Sequence, residues 1–207
     1  MVNITHTGEN IERINKIIEV SQKRFGLYGF EKTAMREIAS DMGMSKGSLY
    51  YYFPDKESLY RAVIEKEQNE FLNIISEKFK QMNDPSAMLL EFINIRIYYF
   101  RKFLNLGRFR FEEFMGVRKI MGDIGLDFRK KETILIKEVI ESGMQKGIYK
   151  VTNSDEVAEI FMELLIGLAK SNLHHKDIIY VENEDYESMQ EKARIFSQIF
   201  INGIANN

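Results

Sequence analysis

The chain has 207 residues, of which 44% are hydrophobic and 29% charged, a balance that is ordinary for a globular protein with a sizeable core. It contains no cysteine, which excludes disulfides and thiolate metal sites and fits a reducing compartment. The first ten residues lack a basic start followed by an apolar run, and no stretch approaches the roughly 18 uncharged apolar residues of a membrane span. We therefore expect a cytoplasmic protein without a secretory signal or a membrane helix.

The formal net charge is −2, and the first 60 residues carry eight Lys and Arg against eight Asp and Glu. The sum of the charges therefore gives no indication of a nucleic-acid partner. Any affinity for DNA must come from where the charged side chains are placed.

Apolar residues recur at steps of three and four along the chain, while sustained alternation is absent, so the pattern predicts an all-α protein of about nine helices. The predicted helices cover 10–27, 33–41, 45–52, 55–79, 85–104, 108–119, 125–146, 154–172 and 186–205, with a polar loop at 176–185. Thr33, Ser45 and Asp55 have the residue types of helix N-caps. We predict a small domain at 1–55 with three helices and a larger helical domain at 56–207.

The second and third helices are short and meet at a tight turn around Gly43, which is typical of a helix-turn-helix. Ile38, Ala39, Leu49 and Phe53, together with Met44, would pack these helices together. The opposite face of the third helix carries Lys46, Ser48, Tyr50 and Tyr51. The three successive tyrosines at 50–52 point about 100° apart on a helix, so they cannot all be buried. Phenol rings can pack on thymine methyl groups, and a lysine can bind a phosphate or a guanine.

Residues 11–60 resemble the tetracycline-repressor (TetR) family, through the segment T-A-M-R-E-I-A, the run G-M-S-K-G-S-L-Y-Y-Y-F and the closing D-K-E-S-L. The resemblance implies a dimeric transcriptional regulator, by the family's habit a repressor, that a small ligand releases from double-stranded DNA. We expect the operator of such a two-fold dimer to be an inverted repeat. The DNA contacts that the resemblance implies are Thr33, Arg36, Ser45, Lys46, Ser48, Tyr50, Tyr51, Tyr52 and Lys56. Methionines on both sides of Gly43 depart from the family pattern and indicate local repacking.

The segment 92–114 is rich in aromatic residues with arginines between them. Ordinary core is the simplest interpretation for most of these rings. A pocket for a hydrophobic or aromatic ligand is the alternative, because flexible methionines and ring hydroxyls suit such a lining. The candidate pocket residues are Phe92, Tyr98, Tyr99, Phe103, Phe114, Met115, Met144 and Met162.

The last two predicted helices each carry an apolar stripe, which fits either monomer core or a dimer interface. The resemblance implies a four-helix interface between two copies of the chain. The candidate interface residues are Phe161, Leu164, Leu165, Leu168, Phe196, Ile199 and Phe200.

Two short motifs favour chemistry that we do not expect. Residues 43–47 spell G-x-S-x-G, but a nucleophile elbow needs a strand before its serine, and a helix is predicted there. His174 and His175 are adjacent and have no third histidine near in sequence, so we predict no metal, no cofactor and no enzyme activity. The alternative function is a helical ligand-binding or scaffold protein with a vestigial helix-turn-helix, which the neutral first domain favours.

Overall fold

The computed structural model describes residues 8–107, 109–171, 178–179 and 182–206, with side chains at these positions except 102–121, 123, 170 and 178–179. The described part contains eight α-helices and one antiparallel pair of two-residue strands. The helices are α1 (Gly8–Lys32), α2 (Met35–Asp41), α3 (Lys46–Tyr52), α4 (Lys56–Lys80), α5 (Pro85–Gly107), α6 (Phe111–Gln145), α7 (Ser154–Ser171) and α8 (Asn183–Ile204). The strands are β1 (Phe109–Arg110) and β2 (Ile178–Ile179). The predicted all-α fold is confirmed.

The predicted helices at 108–119 and 125–146 are one continuous helix, α6. The predicted break at 120–124 is absent, and the two glycines in and beside it, Gly122 and Gly125, each cost only about 1 kcal/mol relative to alanine. Along its 35 residues α6 packs against α4, α5 and α7, which outweighs that cost. No helix in the described ranges is long and apolar enough to cross a membrane.

We call α1–α3 the head and α5–α8 the body. The first helix is predicted to end at residue 27, but α1 continues through a kink at Gly29, which has φ 79°, for three more residues to Lys32. The N-cap of α2 is Ala34, so the predicted cap at Thr33 is wrong. The side chain of Thr33 is buried, and its Oγ1 donates a 2.7 Å hydrogen bond to the carbonyl oxygen of Gly29.

Helix α4 joins the head to the body without a break. Asp55 caps it as predicted, with Oδ1 accepting a 2.6 Å hydrogen bond from the Ser58 N–H. One turn into α4, the ring of Tyr60 lies 5.0 Å from that of Phe25 and 4.9 Å from that of Phe30, and all three rings are buried. The predicted domain boundary between 55 and 56 therefore lies at the start of α4, a helix that packs against both the head and the body.

A chain of aromatic contacts crosses the body. The centroid distances are 6.2 Å from Phe71 to Phe92, 6.3 Å from Phe92 to Phe161 and 4.9 Å from Phe161 to Phe200, so the contacts link α4, α5, α7 and α8. Beside them, Arg96 on α5 pairs with the buried carboxylate of Glu132 on α6, at 2.7 Å from Nε to Oε1. Both carboxylate oxygens of Glu132 accept hydrogen bonds from Arg96, and a buried charge needs such a partner.

The turn after α6 contacts the start of α5 and the C-terminal end of the chain. Tyr149 is buried, and its hydroxyl lies 2.9 Å from the Ser86 hydroxyl at the start of α5. Tyr149 also forms an antiparallel bridge with Ala205. Its ring occupies the space beside Gly143, where a Cβ would overlap the ring atoms.

We expect Gly143→Ala to lower the free energy of unfolding by about 1–3 kcal/mol, because the added methyl group forces the Tyr149 ring to move in a closely packed site. Gly122→Ala is the matched control on the same helix, since a Cβ added at that position would have no neighbouring atom within 4 Å. The control should be neutral or slightly stabilising. Urea unfolding of both variants tests this, and equal stability of the two would contradict it.

Candidate nucleic-acid interface

Helices α2 and α3 form the predicted helix-turn-helix. Ile38, Ala39, Leu49 and Phe53 are buried between the helices and α1, as the apolar pattern predicts. Gly43 in the turn has φ 61°, a left-handed conformation that glycine adopts without steric cost. The turn therefore sets the angle at which α3 leaves α2.

Ser45 begins α3 as a helix cap. Its Oγ accepts a 3.0 Å hydrogen bond from the Ser48 N–H and lies 2.8 Å from the Ser48 hydroxyl, and both serines are exposed. Because helix α2 and a turn precede Ser45, the G-x-S-x-G match has no strand before it and does not form a nucleophile elbow.

The outer face of α3 presents one cation and two phenol rings to solvent. Tyr50 and Tyr51 are 38% and 63% exposed. The Nζ of Lys46 lies 5.4 Å from the centroid of the Tyr50 ring, so the two side chains form a cation–π pair. Tyr52 instead is half-buried, packs against the head core and meets Tyr51 edge to face.

Cations concentrate at the groove beside this face, although the first 60 residues as a whole have no net charge. A cleft of about 460 Å³ is lined by Glu31, Lys32, Thr33, Ala34, Met35, Arg36, Lys46, Tyr50 and Lys56. Four of these side chains are basic and one is acidic. Arg36 and Lys46 are exposed at its rim, whereas Lys56 is half-buried. The placement of charge, rather than its sum, marks this surface.

Arg24 on α1 holds α2 in place from outside the core. Its Nε donates a 2.6 Å hydrogen bond to Oδ2 of Asp41, and a second nitrogen reaches Oδ1 at 3.3 Å. The guanidinium also lies 3.2 Å from Glu37, whose carboxylate accepts the Ala34 N–H at the start of α2. The hydrogen bond from Arg24 holds the pKa of the Asp41 carboxyl below its ordinary value. Sequence reasoning missed this network, since pairing between separate helices leaves no local spacing signal.

The candidate pocket residues do not gather around one cavity in the described part of the chain. Phe92 and Met162 are fully buried core, Tyr98 is 56% exposed, and Met144 is also exposed. Tyr99 is half-buried against Phe71. The side chains of Phe103, Phe114 and Met115 lie outside the described residues, as do His174 and His175. A second cleft of about 440 Å³, between α5 and α8, is lined by other residues.

The candidate interface residues divide between the inside and the outside of the body. Phe161 and Leu165 are buried in its core, while Leu168, Phe196 and Phe200 are half-buried. Leu164 and Ile199 are 49% and 68% exposed, and each has an exposed isoleucine one turn before it, Ile160 and Ile195. Helices α7 and α8 thus each present two exposed apolar side chains, one turn apart.

The fold and the outer face of α3 define a helix-turn-helix protein of the class that binds DNA. The family model described as "Bacterial regulatory proteins, tetR family" matches residues 17–63, from α1 into α4. The crystal structure of a transcriptional regulator from Cytophaga hutchinsonii is 36% identical and superposes with a TM-score of 0.84, over 93% of this chain and 98% of that one. The chain belongs to the tetR family of bacterial regulatory proteins.

Two further relatives are more distant. The HTH-type transcriptional regulator RutR of Escherichia coli K12 is 29% identical over 131 residues, and the match spans 61% of each chain. The chain therefore covers about three fifths of the length of that curated relative. A protein from Saccharomonospora viridis shares the fold at 16% identity and a TM-score of 0.64, over 90% of this chain and 96% of that one.

The lowered pKa of Asp41 predicts an acid-sensitive contribution to stability. The contribution is complete above the ordinary carboxyl pKa of 3.8 and is lost as the pH falls through the lower folded value. We expect Asp41→Asn to be destabilising at pH 7, by no more than about 1 kcal/mol because a partly exposed pair is screened, and nearly neutral at pH 2.

Urea unfolding at both pH values measures this difference. In the Arg24→Met background the same substitution should have no pH-dependent effect, because the partner that lowers the pKa is gone. An equal effect of Asp41→Asn at pH 7 and pH 2 in the parent chain would show that the pair does not stabilise the head.

Proposed function

We propose that the protein is a dimeric transcriptional repressor that binds an inverted-repeat operator and is released from it by a small ligand. The observation that carries the DNA-binding part is the outer face of α3, where Lys46, Tyr50 and Tyr51 stand exposed beside a cationic cleft. Since bacterial operators lie in the cytoplasm, we infer that the protein acts there.

We assign the direct contacts to the side chains that are exposed on this surface. Tyr50 and Tyr51 would pack on thymine methyl groups or reach phosphates, and Lys46 would bind a phosphate or a guanine. Arg36, the N-cap residue Ser45 and Ser48 would add contacts to the DNA phosphate backbone. Thr33 and Tyr52 are weaker candidates, because the first is buried and the second packs against the head core.

The exposed apolar side chains of α7 and α8 support a homodimer. Ile160, Leu164, Ile195 and Ile199 are between 43% and 68% exposed, and apolar side chains grouped in this way mark an interaction surface. Two helices from each protomer would bury them in a four-helix interface. A two-fold dimer holds its two α3 helices at a fixed separation. Because the two helices are related by two-fold symmetry, the operator should be an inverted repeat.

Ligand control would act through α4. This helix contacts the head through Tyr60 and the body through Phe71, so a change of its tilt changes the position of the head. A ligand can bind more tightly to the conformation in which the two heads have a separation that does not fit the operator. It then lowers the DNA affinity by the difference between its binding free energies for the two conformations. The Saccharomonospora viridis protein was solved in complex with choline, which supports a small-molecule site in a protein of this fold.

Selection of bound sequences from a random duplex DNA pool tests the DNA-binding proposal. We expect one inverted repeat to be enriched, with an affinity that falls steeply as salt rises. Tyr51→Ala should weaken binding to that repeat by about 1–3 kcal/mol, the range of one good base contact. Asn73→Ala, on the exposed side of α4, is the control. A folded dimer that enriches no sequence would favour the vestigial helix-turn-helix instead.

Light scattering tests the proposed dimer face. The parent chain should have twice the 24.4 kDa mass of one protomer. Ile199→Glu combined with Leu164→Glu should give a monomer, because dimerisation would then bury four unpaired carboxylates. Ile74→Glu adds a carboxylate at a 40% exposed position on α4 and should leave the dimer intact. A dimer that persists in the double variant would place the interface elsewhere.

A further inference from the structure

The ammonium group of Lys56 is engaged inside its own protomer. Its Nζ donates a 2.9 Å hydrogen bond to the carbonyl oxygen of Phe30 and a longer one, 3.5 Å, to that of Glu31. The same nitrogen lies 4.3 Å from the centroid of the Phe30 ring. Both carbonyls belong to the last turn of α1, where backbone oxygens lack partners within the helix and a positive charge is favoured.

This contact connects α4 to the segment that leads into α2. Lys56 is the first residue of α4, and the Phe30 ring packs on Tyr60, one turn further along the same helix. The carbonyl oxygen of Phe30 also accepts a 3.3 Å hydrogen bond from the N–H of Thr33, two residues before α2. Lys56 therefore sets the course of the chain where it enters the helix-turn-helix.

We infer that Lys56 is a positioning residue for DNA recognition, which fixes the end of α1 and thereby the orientation of α2 and α3 relative to α4. The family resemblance implies a direct DNA contact at this position instead. The inference rests on the proposed DNA-binding function. Lys46, the first residue of α3, differs from Lys56 because its ammonium lies over the exposed ring of Tyr50.

Lys56→Met separates the two roles, since it retains an unbranched apolar side chain and removes the ammonium. We expect the melting temperature to fall by about 2–4 °C, the shift that corresponds to one net hydrogen bond in a chain of this size. Operator affinity should fall about tenfold at every salt concentration. The slope of log K against log salt should stay that of the parent chain.

Lys46→Met is the matched control for a phosphate or base contact. It should leave the melting temperature unchanged, and loss of one phosphate contact would reduce the salt slope by about 0.9. Lys56→Gln retains a hydrogen-bond donor and should give an intermediate melting temperature with the parent slope. This variant serves as the test if Lys56→Met does not fold.

A Lys56→Met variant with the parent melting temperature and a slope reduced by about 0.9 would overturn the inference and make Lys56 a phosphate ligand. Amide hydrogen exchange at residues 33–42 gives a readout that needs no DNA, and we expect faster exchange there in the variant. If the parent chain bound no DNA, the proposed function would fail, while exchange and melting would still decide whether Lys56 fixes the head.

Discussion

The packing of Tyr60 against Phe25 and Phe30 decides how the head sits on the rest of the molecule. The three rings are buried with centroids 4.9–6.0 Å apart, and they make the first turns of α4 part of the head core. Because α4 then continues unbroken to Phe71 and the aromatic core of the body, the head has no flexible linker. The proposed ligand control would therefore move a rigid helix, and the two heads of the proposed dimer would move with the bodies that carry them.

The charged side chains of the head divide between structure and recognition. Arg24 is paired with two carboxylates of α2, and the ammonium of Lys56 binds the end of α1. Arg36 and Lys46 remain on the exposed face beside the cleft. The first 60 residues, which have no net charge, can thus present a cationic surface, because their acidic residues lie mostly elsewhere or are held in pairs. For a domain of this size, net charge is a poor guide to nucleic-acid binding.

The two apolar stripes of α7 and α8 illustrate what a helical pattern leaves open. Phe161 and Leu165 face the core of the body, while Leu164 and Ile199, which belong to the same stripes, face solvent. A wide apolar stripe has the same sequence pattern whether it packs only against the core of the body or also against a partner. The candidate pocket raises the same difficulty, because composition cannot indicate which of the rings face each other. Phe92 and Met162 are simply core, so the ligand site stays a prediction.

Local sequence was sufficient for the all-α class, the helix-turn-helix, the caps at Ser45 and Asp55 and the family, because each of these depends on residues within a few turns of one another. Contacts over longer separations were decided by tertiary structure alone. Arg24 and Asp41 are 17 positions apart, and Lys56 and Phe30 are 26 apart. Thr33 has the residue type of a cap, yet the kink at Gly29 turns its hydroxyl inward. The sequence pattern predicted a break between 119 and 125, yet α6 is continuous there and packs against three other helices. The contacts of Arg24, Lys56 and α6 join elements that are distant in sequence, whereas the Thr33 hydrogen bond reaches back only four residues. Local preferences of about 1 kcal/mol cannot specify such distant contacts.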